Sequence, residues 1–295
     1  MQYDFGIFGG DMRQIYIGKF LEQEGYSVFY YEICQKEEIQ PIPIASSFTE
    51  LLSNVDILLG PIPLTKDNKQ IYYQGTNTDM TLERLEHTLL KGRYLFAGCI
   101  PPFLYKENTA IFDYMKDKSL TLYNSIATAE GAIVKAITAG KENISGSHSL
   151  IIGYGLCGKT LATRVHGLKS TVNICARRNE NQMEAQADGF HVFSFHQLKN
   201  QISKMDYIFN TVPALVLDKE LLAQVKADAI IIDIASAPGG LDYEAAKNKQ
   251  LCAILCPGLP GIYAPKASAK AMVNTIKYYI ANKIDRKVDK NVIGK

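Results

Sequence analysis

One stretch constrains the fold more than any other. Gly153-Tyr154-Gly155-Leu156-Cys157-Gly158 follows the apolar run Ser149-Leu150-Ile151-Ile152 and precedes a helical pattern over 159–168. A lone G-x-G-x-x-G is a weak signal. Between a strand and a helix each glycine serves a purpose, in turn a tight bend, close approach of a pyrophosphate, and close packing of helix on strand. The helix N-terminus then turns unpaired N–H groups toward the phosphates. The stretch therefore reads as the head of a βαβ unit that binds a dinucleotide.

Around it, short β-rich runs alternate with amphipathic or polar stretches, the mark of parallel sheets. In the first part strands are expected at 3–9, 26–31, 55–60, 94–98 and 120–123, with helices at 13–24, 82–91 and 109–117. A second series has strands at 147–152, 171–176, 191–193, 207–210, 229–234 and 252–255. Its helices are expected at 158–168, 181–187, 195–203, 219–224 and 243–249. Between the series, 128–139 reads as a helix capped by Thr128, with Glu130 near the positive end of its dipole. Residues 265–282 read as one long helix with Pro265 in its first turn, and 283–295 as a charged, solvated tail. Pro41, Pro43, Pro61, Pro63, Pro101 and Pro102 fall in connections, where a missing N–H is harmless.

Composition narrows the class. Apolar residues make up 47% and charged residues 21%, values of a globular chain. Lys and Arg number 32 against 30 Asp and Glu, a net charge of only +2, which argues against a nucleic-acid surface. Met1-Gln2-Tyr3-Asp4 lacks the basic region of a signal peptide. The longest apolar stretches, such as 229–235, fall far short of the roughly 20 residues that span a bilayer. A soluble cytoplasmic protein without membrane contact is expected. The six cysteines and five histidines show no zinc-ligand spacing, so the thiols read as reduced core or near-core groups and metal catalysis is not expected.

The cofactor's second ribose is read about twenty residues past the motif, where an NAD enzyme places Asp or Glu. Ala176-Arg177-Arg178 stands there instead. Guanidinium groups bind a 2′-phosphate that a carboxylate would repel, which favours NADP(H) over NAD(H). The turns that follow the later strands belong at the carboxyl end of the sheet, where ligands bind. These are Asn210-Thr211-Val212-Pro213, Asp233-Ile234-Ala235-Ser236-Ala237-Pro238-Gly239-Gly240 and Pro257-Gly258-Leu259-Pro260-Gly261. The expected fold class is α/β, with two doubly wound parallel-sheet domains, the second a Rossmann NADP-binding domain. A flavodoxin-like substrate domain is expected over 1–125 and the Rossmann domain over 126–263. The terminal helix, 264–295, is expected to pack back on the first domain, by analogy with related dehydrogenases.

The first part holds a second glycine turn, Gly9-Gly10-Asp11-Met12-Arg13-Gln14. It lacks the full fingerprint, and Arg13 and Gln14 at a helix N-terminus suit a carboxylate-bearing substrate. Tyr123-Asn124-Ser125-Ile126-Ala127-Thr128-Ala129-Glu130-Gly131 lies where the domains join and is dense in hydroxyl, amide and carboxylate groups. A hydroxyacid dehydrogenase would carry an Arg after the strand at 229–234 and a late acid–base His. Ala237-Pro238-Gly239-Gly240 stands in place of the former, and no His follows His196.

With these stretches in view the chain resembles the A subunit of dipicolinate synthase from endospore-forming bacteria. The glycine fingerprint is generic. The Pro238-Gly239-Gly240 turn and Pro257-Gly258-Leu259-Pro260-Gly261-Ile262-Tyr263-Ala264-Pro265-Lys266 are more specific. Tyr154 and Cys157 depart from the family's usual Leu and polar residues, which bears on cofactor contacts. The resemblance implies the final step of dipicolinate formation, on a branch of the lysine pathway. There a dihydrodipicolinate-type intermediate loses hydride to NADP⁺ and a proton to the enzyme. It also implies a sporulation role in the mother-cell cytoplasm, with a flavoprotein-like B subunit; self-association into a homo-oligomer stays open.

Under that reading Arg13, Gln14, Asn124, Ser125, Thr128, Ser236, Lys266 and the N–H groups of Gly239 and Gly240 are candidates for the substrate. Glu130 and Asp11 are the candidate proton acceptors, with Ser236 beside the chemistry. Gly153, Tyr154, Gly155, Leu156, Cys157, Gly158, Ala176, Arg177, Arg178, Thr211, Val212, Pro213, Asp233, Ala235, Ser236, Gly258, Leu259 and Pro260 are expected to hold the cofactor. Another two-domain NAD(P) dehydrogenase, of methylene-tetrahydrofolate or 2-hydroxyacid type, and a non-catalytic nucleotide-binding component of a hetero-oligomer are the rival readings.

Overall fold

The computed structural model describes residues 3–34, 43–75, 79–107 and 109–284; Pro41 and the tail beyond 284 lie outside them. The chain divides into two compact units, one of Met1–Tyr123 with Ala264–Lys295 and one of Asn124–Tyr263. Each carries one sheet, and every strand pair is parallel.

The first sheet comprises β1 (Tyr3–Phe8), β2 (Val28–Tyr31), β3 (Val55–Leu59), β4 (Tyr94–Ala97) and β5 (Ala110–Asp113). Their order, β2-β1-β3-β4-β5, is that of a flavodoxin-like doubly wound sheet. Helices α1 (Met12–Gln23), α2 (Phe48–Asn54) and α3 (Leu82–Leu89) connect them. α2 begins with a side-chain cap, since Ser47 Oγ accepts from the Glu50 amide at 3.1 Å. Its Phe48, Leu51 and Leu52 are buried. The Ser-x-x-Glu spacing is its one sequence signal, and strand and helix periodicity alone passes over it. The terminal helix α11 (Pro265–Tyr279) belongs to this unit. Its Ala269, Met272, Val273 and Ile276 share a core with Phe5 and Ile7 of β1 and Ile15, Ile17 and Leu21 of α1.

Residues 109–123 correct the sequence reading. The expected helix at 109–117 is strand β5, registered against β4 with Tyr94 opposite Ala110, followed by a 3₁₀ turn at Tyr114–Lys116. The expected strand at 120–123 is the opening of helix α4 (Lys118–Ala139). Leu120-Thr121-Leu122-Tyr123 has strand-like composition. The Asp117 carboxylate nevertheless accepts from the Leu120 amide at 2.8 Å and starts a helix there. Thr128 is therefore no cap: its hydroxyl donates back to the Asn124 carbonyl at 2.9 Å, as mid-helix threonines do. Glu130 stands three turns into α4, away from the positive end.

The second sheet comprises β6 (His148–Ile152), β7 (Thr171–Cys175), β8 (His191–Phe193), β9 (Tyr207–Asn210), β10 (Ile230–Asp233) and β11 (Cys252–Leu255). Their order is β11-β10-β9-β6-β7-β8. Numbered within the unit this is 3-2-1-4-5-6, the Rossmann arrangement, with its switch point between β6 and β9. Helices α5 (Leu156–Gly167), α6 (Asn179–Ala187), α7 (Phe195–Gln201), α8 (Lys219–Leu222), α9 (Tyr243–Asn248) and α10 (Leu259–Tyr263) complete it. β9 and β10 are buried along their full length, as strands covered on both faces must be. Among the described residues no helix is long and apolar enough to cross a membrane.

Candidate functional site

The crevice of the second unit opens at the switch point, where β6 leads into α5. Gly153 has φ +95°, a conformation in which a side chain is strained. An added Cβ there would also stand 2.4 Å from Thr211 Oγ1. A Cβ on Gly158 would meet the Gly153 carbonyl oxygen at 2.2 Å, so α5 approaches the strand as only glycine permits. Gly155 is the N-cap of α5 and offers no side chain, and a Cβ on it would touch nothing within 4 Å. The amides of Leu156, Cys157 and Gly158, orphaned by helix geometry, have no acceptor among the described residues. An open cradle lined by bare N–H groups fits a pyrophosphate.

Tyr154 takes another part than expected. Its ring is 1% exposed within the core of this unit and its hydroxyl donates to Asp188 at 2.5 Å. Only its backbone faces the turn. Burial pushes the Cys157 thiol up, which keeps it protonated and unreactive.

At the end of β7, Ala176 is buried and its carbonyl accepts from Gln182 Nε2 at 2.7 Å. Arg177 and Arg178 are both exposed, and neither forms an ion pair among the described residues. Two guanidinium groups thus stand free where an NAD enzyme carries its carboxylate.

Beyond β9 and β10 the loops are tied down from within. Asp233 is wholly buried and accepts from Asn210, Tyr243 and the amides of Ala235 and Gly240. The Gly240 amide is therefore engaged by Asp233, and the Gly239 amide by the Ser236 carbonyl at 2.9 Å. The expectation that these two N–H groups receive a substrate carboxylate fails, because the turn consumes them itself. Ser236 and Pro213 are exposed, Thr211 and Val212 half-buried. Gly258 is exposed at the mouth of α10, Leu259 is buried and Pro260 half-buried. Sequence reasoning missed Tyr243, which reads there only as a helix start.

Part of α4 also belongs to the second unit, beginning at Asn124. Asn124 and Ser125 are buried. Asn124 Oδ1 has no partner among the described residues, and Ser125 Oγ lies 2.8 Å from Thr160 Oγ1. Glu130 is exposed and receives Arg164 Nε at 3.5 Å.

In the first unit, Asp11 caps α1 by accepting from the Arg13 amide at 3.0 Å. The same carboxylate receives Arg13 Nε at 2.9 Å and Nη2 at 2.7 Å, and Nη2 also donates to the Ile62 carbonyl at 2.7 Å. Both residues are buried. Asp11 is thus the buried counter-ion of Arg13, with both carboxylate oxygens already accepting hydrogen bonds. Arg13 keeps one terminal nitrogen, Nη1, without a partner among the described residues. Gln14 Nε2 donates to the carbonyls of Phe8 at 3.2 Å and Leu59 at 2.9 Å, closing the gap between the ends of β1 and β3. Lys266 is exposed in the first turn of α11. Asp113 organises this edge, at the end of β5 where the sequence pattern predicts the interior of a helix. It accepts from the amides of Cys99, Ile100 and Met115 at 3.1, 3.1 and 2.9 Å. Cys99 is exposed, the exception to the expectation of core thiols, because its loop turns through φ +53°.

Comparison with known proteins bears on each unit. The N-terminal domain of the dipicolinate synthase A subunit matches residues 4–115. The chain is 27% identical over 284 residues to the dipicolinate synthase A subunit of Bacillus subtilis (strain 168), covering 93% of this chain and 95% of that one. The chain is a relative of the dipicolinate synthase A subunit. Crystal structures of that protein agree. The one from Bacillus halodurans is 26% identical with a TM-score of 0.84, covering 95% of this chain and 99% of that one. The one from Bacillus subtilis is 25% identical with a TM-score of 0.80, covering 95% and 96%. Residues 121–245 match the NAD-binding domain of D-isomer-specific 2-hydroxyacid dehydrogenases. The second unit is accordingly a nicotinamide-dinucleotide domain and the role is that of an oxidoreductase. A transhydrogenase from Sinorhizobium meliloti, 14% identical at a TM-score of 0.64 over 94% of each chain, shares the fold.

Proposed function

We propose that this chain forms dipicolinate, pyridine-2,6-dicarboxylate, by NADP-dependent oxidation of a dihydrodipicolinate-type intermediate. The observation that carries the reading is similarity to the dipicolinate synthase A subunit along nearly the whole length of both proteins. The name of those relatives supports a B-subunit partner, and with it a place in sporulation on the lysine branch, in the mother-cell cytoplasm. The first unit is read as the substrate domain.

A bound dinucleotide would supply the hydride acceptor for a ring carbon, and the proton lost with the hydride would leave to a base or water. Aromatisation drives the reaction, so the base need not be strong, and the protein's contribution is chiefly positioning. Bare amides at Leu156–Gly158 would hold the diphosphate, and Arg177 and Arg178 would bind the 2′-phosphate. Arg13 through Nη1, Lys266, Ser125, Thr128 and Ser236 are the proposed carboxylate contacts. Asn124 offers its unpaired Oδ1 to a ring N–H. Glu130, exposed, is the proposed proton acceptor in place of Asp11.

Purified chain titrated with NADPH and NADH, then assayed with the dihydro-dicarboxylate in the presence and absence of the B subunit, tests the reading. The expected result is at least tenfold preference for NADPH and nucleotide-dependent dipicolinate formation. Preference for NADH overturns the cofactor. Nucleotide binding without turnover, even with B present, overturns the catalytic role and favours a supporting nucleotide-binding component.

A further inference from the structure

The loops after β9 and β10 hang on one carboxylate. Asp233 Oδ1 accepts from Asn210 Nδ2 at 2.8 Å and the Ala235 amide at 3.0 Å. Oδ2 accepts from the Gly240 amide at 2.7 Å and the Tyr243 hydroxyl at 2.7 Å. Asn210 in turn clasps its own loop, accepting from the Val212 amide at 3.1 Å and donating to the Val212 carbonyl at 3.0 Å. The end of β9, the 234–240 loop and the head of α9 are thereby one hydrogen-bonded body.

Steric fit enforces the same body. A Cβ on Gly239 would stand 2.5 Å from Asp233 Oδ2, and one on Gly240 2.3 Å from Asn210 Nδ2. These glycines are small so that the network can close. It also reaches the phosphate turn: Thr211 donates to the Ile152 carbonyl through its amide at 3.0 Å and its hydroxyl at 2.9 Å. A Cβ on Gly153 would collide with that hydroxyl. Burial and the Asp233 carboxylate hold the Tyr243 hydroxyl protonated and donating. No cation pairs with Asp233 among the described residues. Its charge rests on these four donors, and losing one leaves a buried anion short of partners.

In this strand order one mononucleotide half lies over β6, β7 and β8 and the other over β9, β10 and β11. The fingerprint and the arginine pair serve the first half. We propose that the Asn210–Asp233–Tyr243 network sets the bed for the nicotinamide half, and that Tyr243 is a positioning residue acting through Asp233 on the two loops. The inference rests on the dinucleotide reading of this unit and adds which residues align its second half.

The test uses the full chain and two probes, NADPH and 2′-phospho-ADP-ribose, which lacks the nicotinamide. For Tyr243→Phe, NADPH binding is expected to weaken at least fivefold while the fragment stays within twofold of the parent. Asp233→Asn is expected to show the same split, enlarged, and retained fragment affinity demonstrates a folded domain. If Asp233→Asn does not fold, Tyr243→Phe decides alone. Equal weakening for both probes marks a merely structural role and overturns the proposal, as does unchanged NADPH affinity. A parent chain that prefers NADH is tested with NADH and ADP-ribose as the pair instead. One that binds none of the four strikes the dinucleotide reading itself, and the inference falls with it.

Discussion

The two units open alike and finish their opening turns differently. In the first, β1 passes through Gly9 and Gly10 into a helix whose N-cap is Asp11. In the second, β6 passes through Gly153 into a helix whose N-cap is Gly155. A helix N-terminus has one set of orphan donors. Asp11 takes the Arg13 amide through its carboxylate and the Gln14 amide through its carbonyl, and the side chains of Arg13 and Gln14 are buried beside it. Gly155 leaves them to whatever anion arrives. One residue type at one position separates a turn that completes itself from a turn that needs a ligand.

The comparison can be broken most severely at Asp11. Asp11→Ala removes both the cap and the counter-ion of buried Arg13, and should cost about 3–5 kcal/mol in a urea titration without altering NADPH affinity. A small loss would mean that the pair does not hold the first turn closed. Next comes transplantation of the cap. Gly155→Asp, with open space around its Cβ, should seal α5 as Asp11 seals α1. NADPH affinity should then fall about 100-fold, or about 2.7 kcal/mol, by calorimetry while thermal stability holds. Undiminished binding would detach the open cap from nucleotide recognition.

Replacing Arg177 and Arg178 together by Ala is expected to weaken NADPH about tenfold, or about 1.4 kcal/mol, and to leave NADH unaffected. Equal loss for both nucleotides would sink the 2′-phosphate role. The smallest effect belongs to the far end of β9, where Asp206 receives the His148 amide at 2.8 Å and Lys226 at 2.5 Å. Burial opposes its charge, but these partners outweigh it and hold its carboxyl below the usual range. The folded value is depressed, so the stabilisation is complete above the unfolded value near about 4 and disappears as pH falls through the folded one. Asp206→Asn should therefore cost no more than about 1 kcal/mol at neutral pH, converge with the parent in acid, and spare nucleotide binding.

Much of the fold is legible in the chain itself. The second sheet's strands are continuous apolar runs bounded by turn residues, and buried parallel strands leave few other patterns. Residues 109–123 mislead because local composition and tertiary pairing disagree: Ala110–Asp113 gains β4 as a neighbour, while Asp117 nucleates a helix through strand-like residues. The site is legible where glycine spacing dictates backbone, at Gly153, Gly155 and Gly158. It is not legible where the question is which acceptor receives an amide. Gly239 and Gly240 look available for a substrate in the sequence, yet a buried carboxylate has already taken one of them. Tyr154 sits inside the fingerprint and points into the core, a direction no spacing in a loop encodes.

Helix α11 closes the core of the unit that the first residues begin. During synthesis the stretch 124–263 is contiguous and can condense as it leaves the ribosome, whereas Phe5, Ile15 and Leu21 wait for Ala269, Met272 and Ile276, which follow that whole stretch. The unit begun first is then completed after the second, and its apolar face against α11 is uncovered while 124–263 is made, an interval in which a chaperone would shelter it.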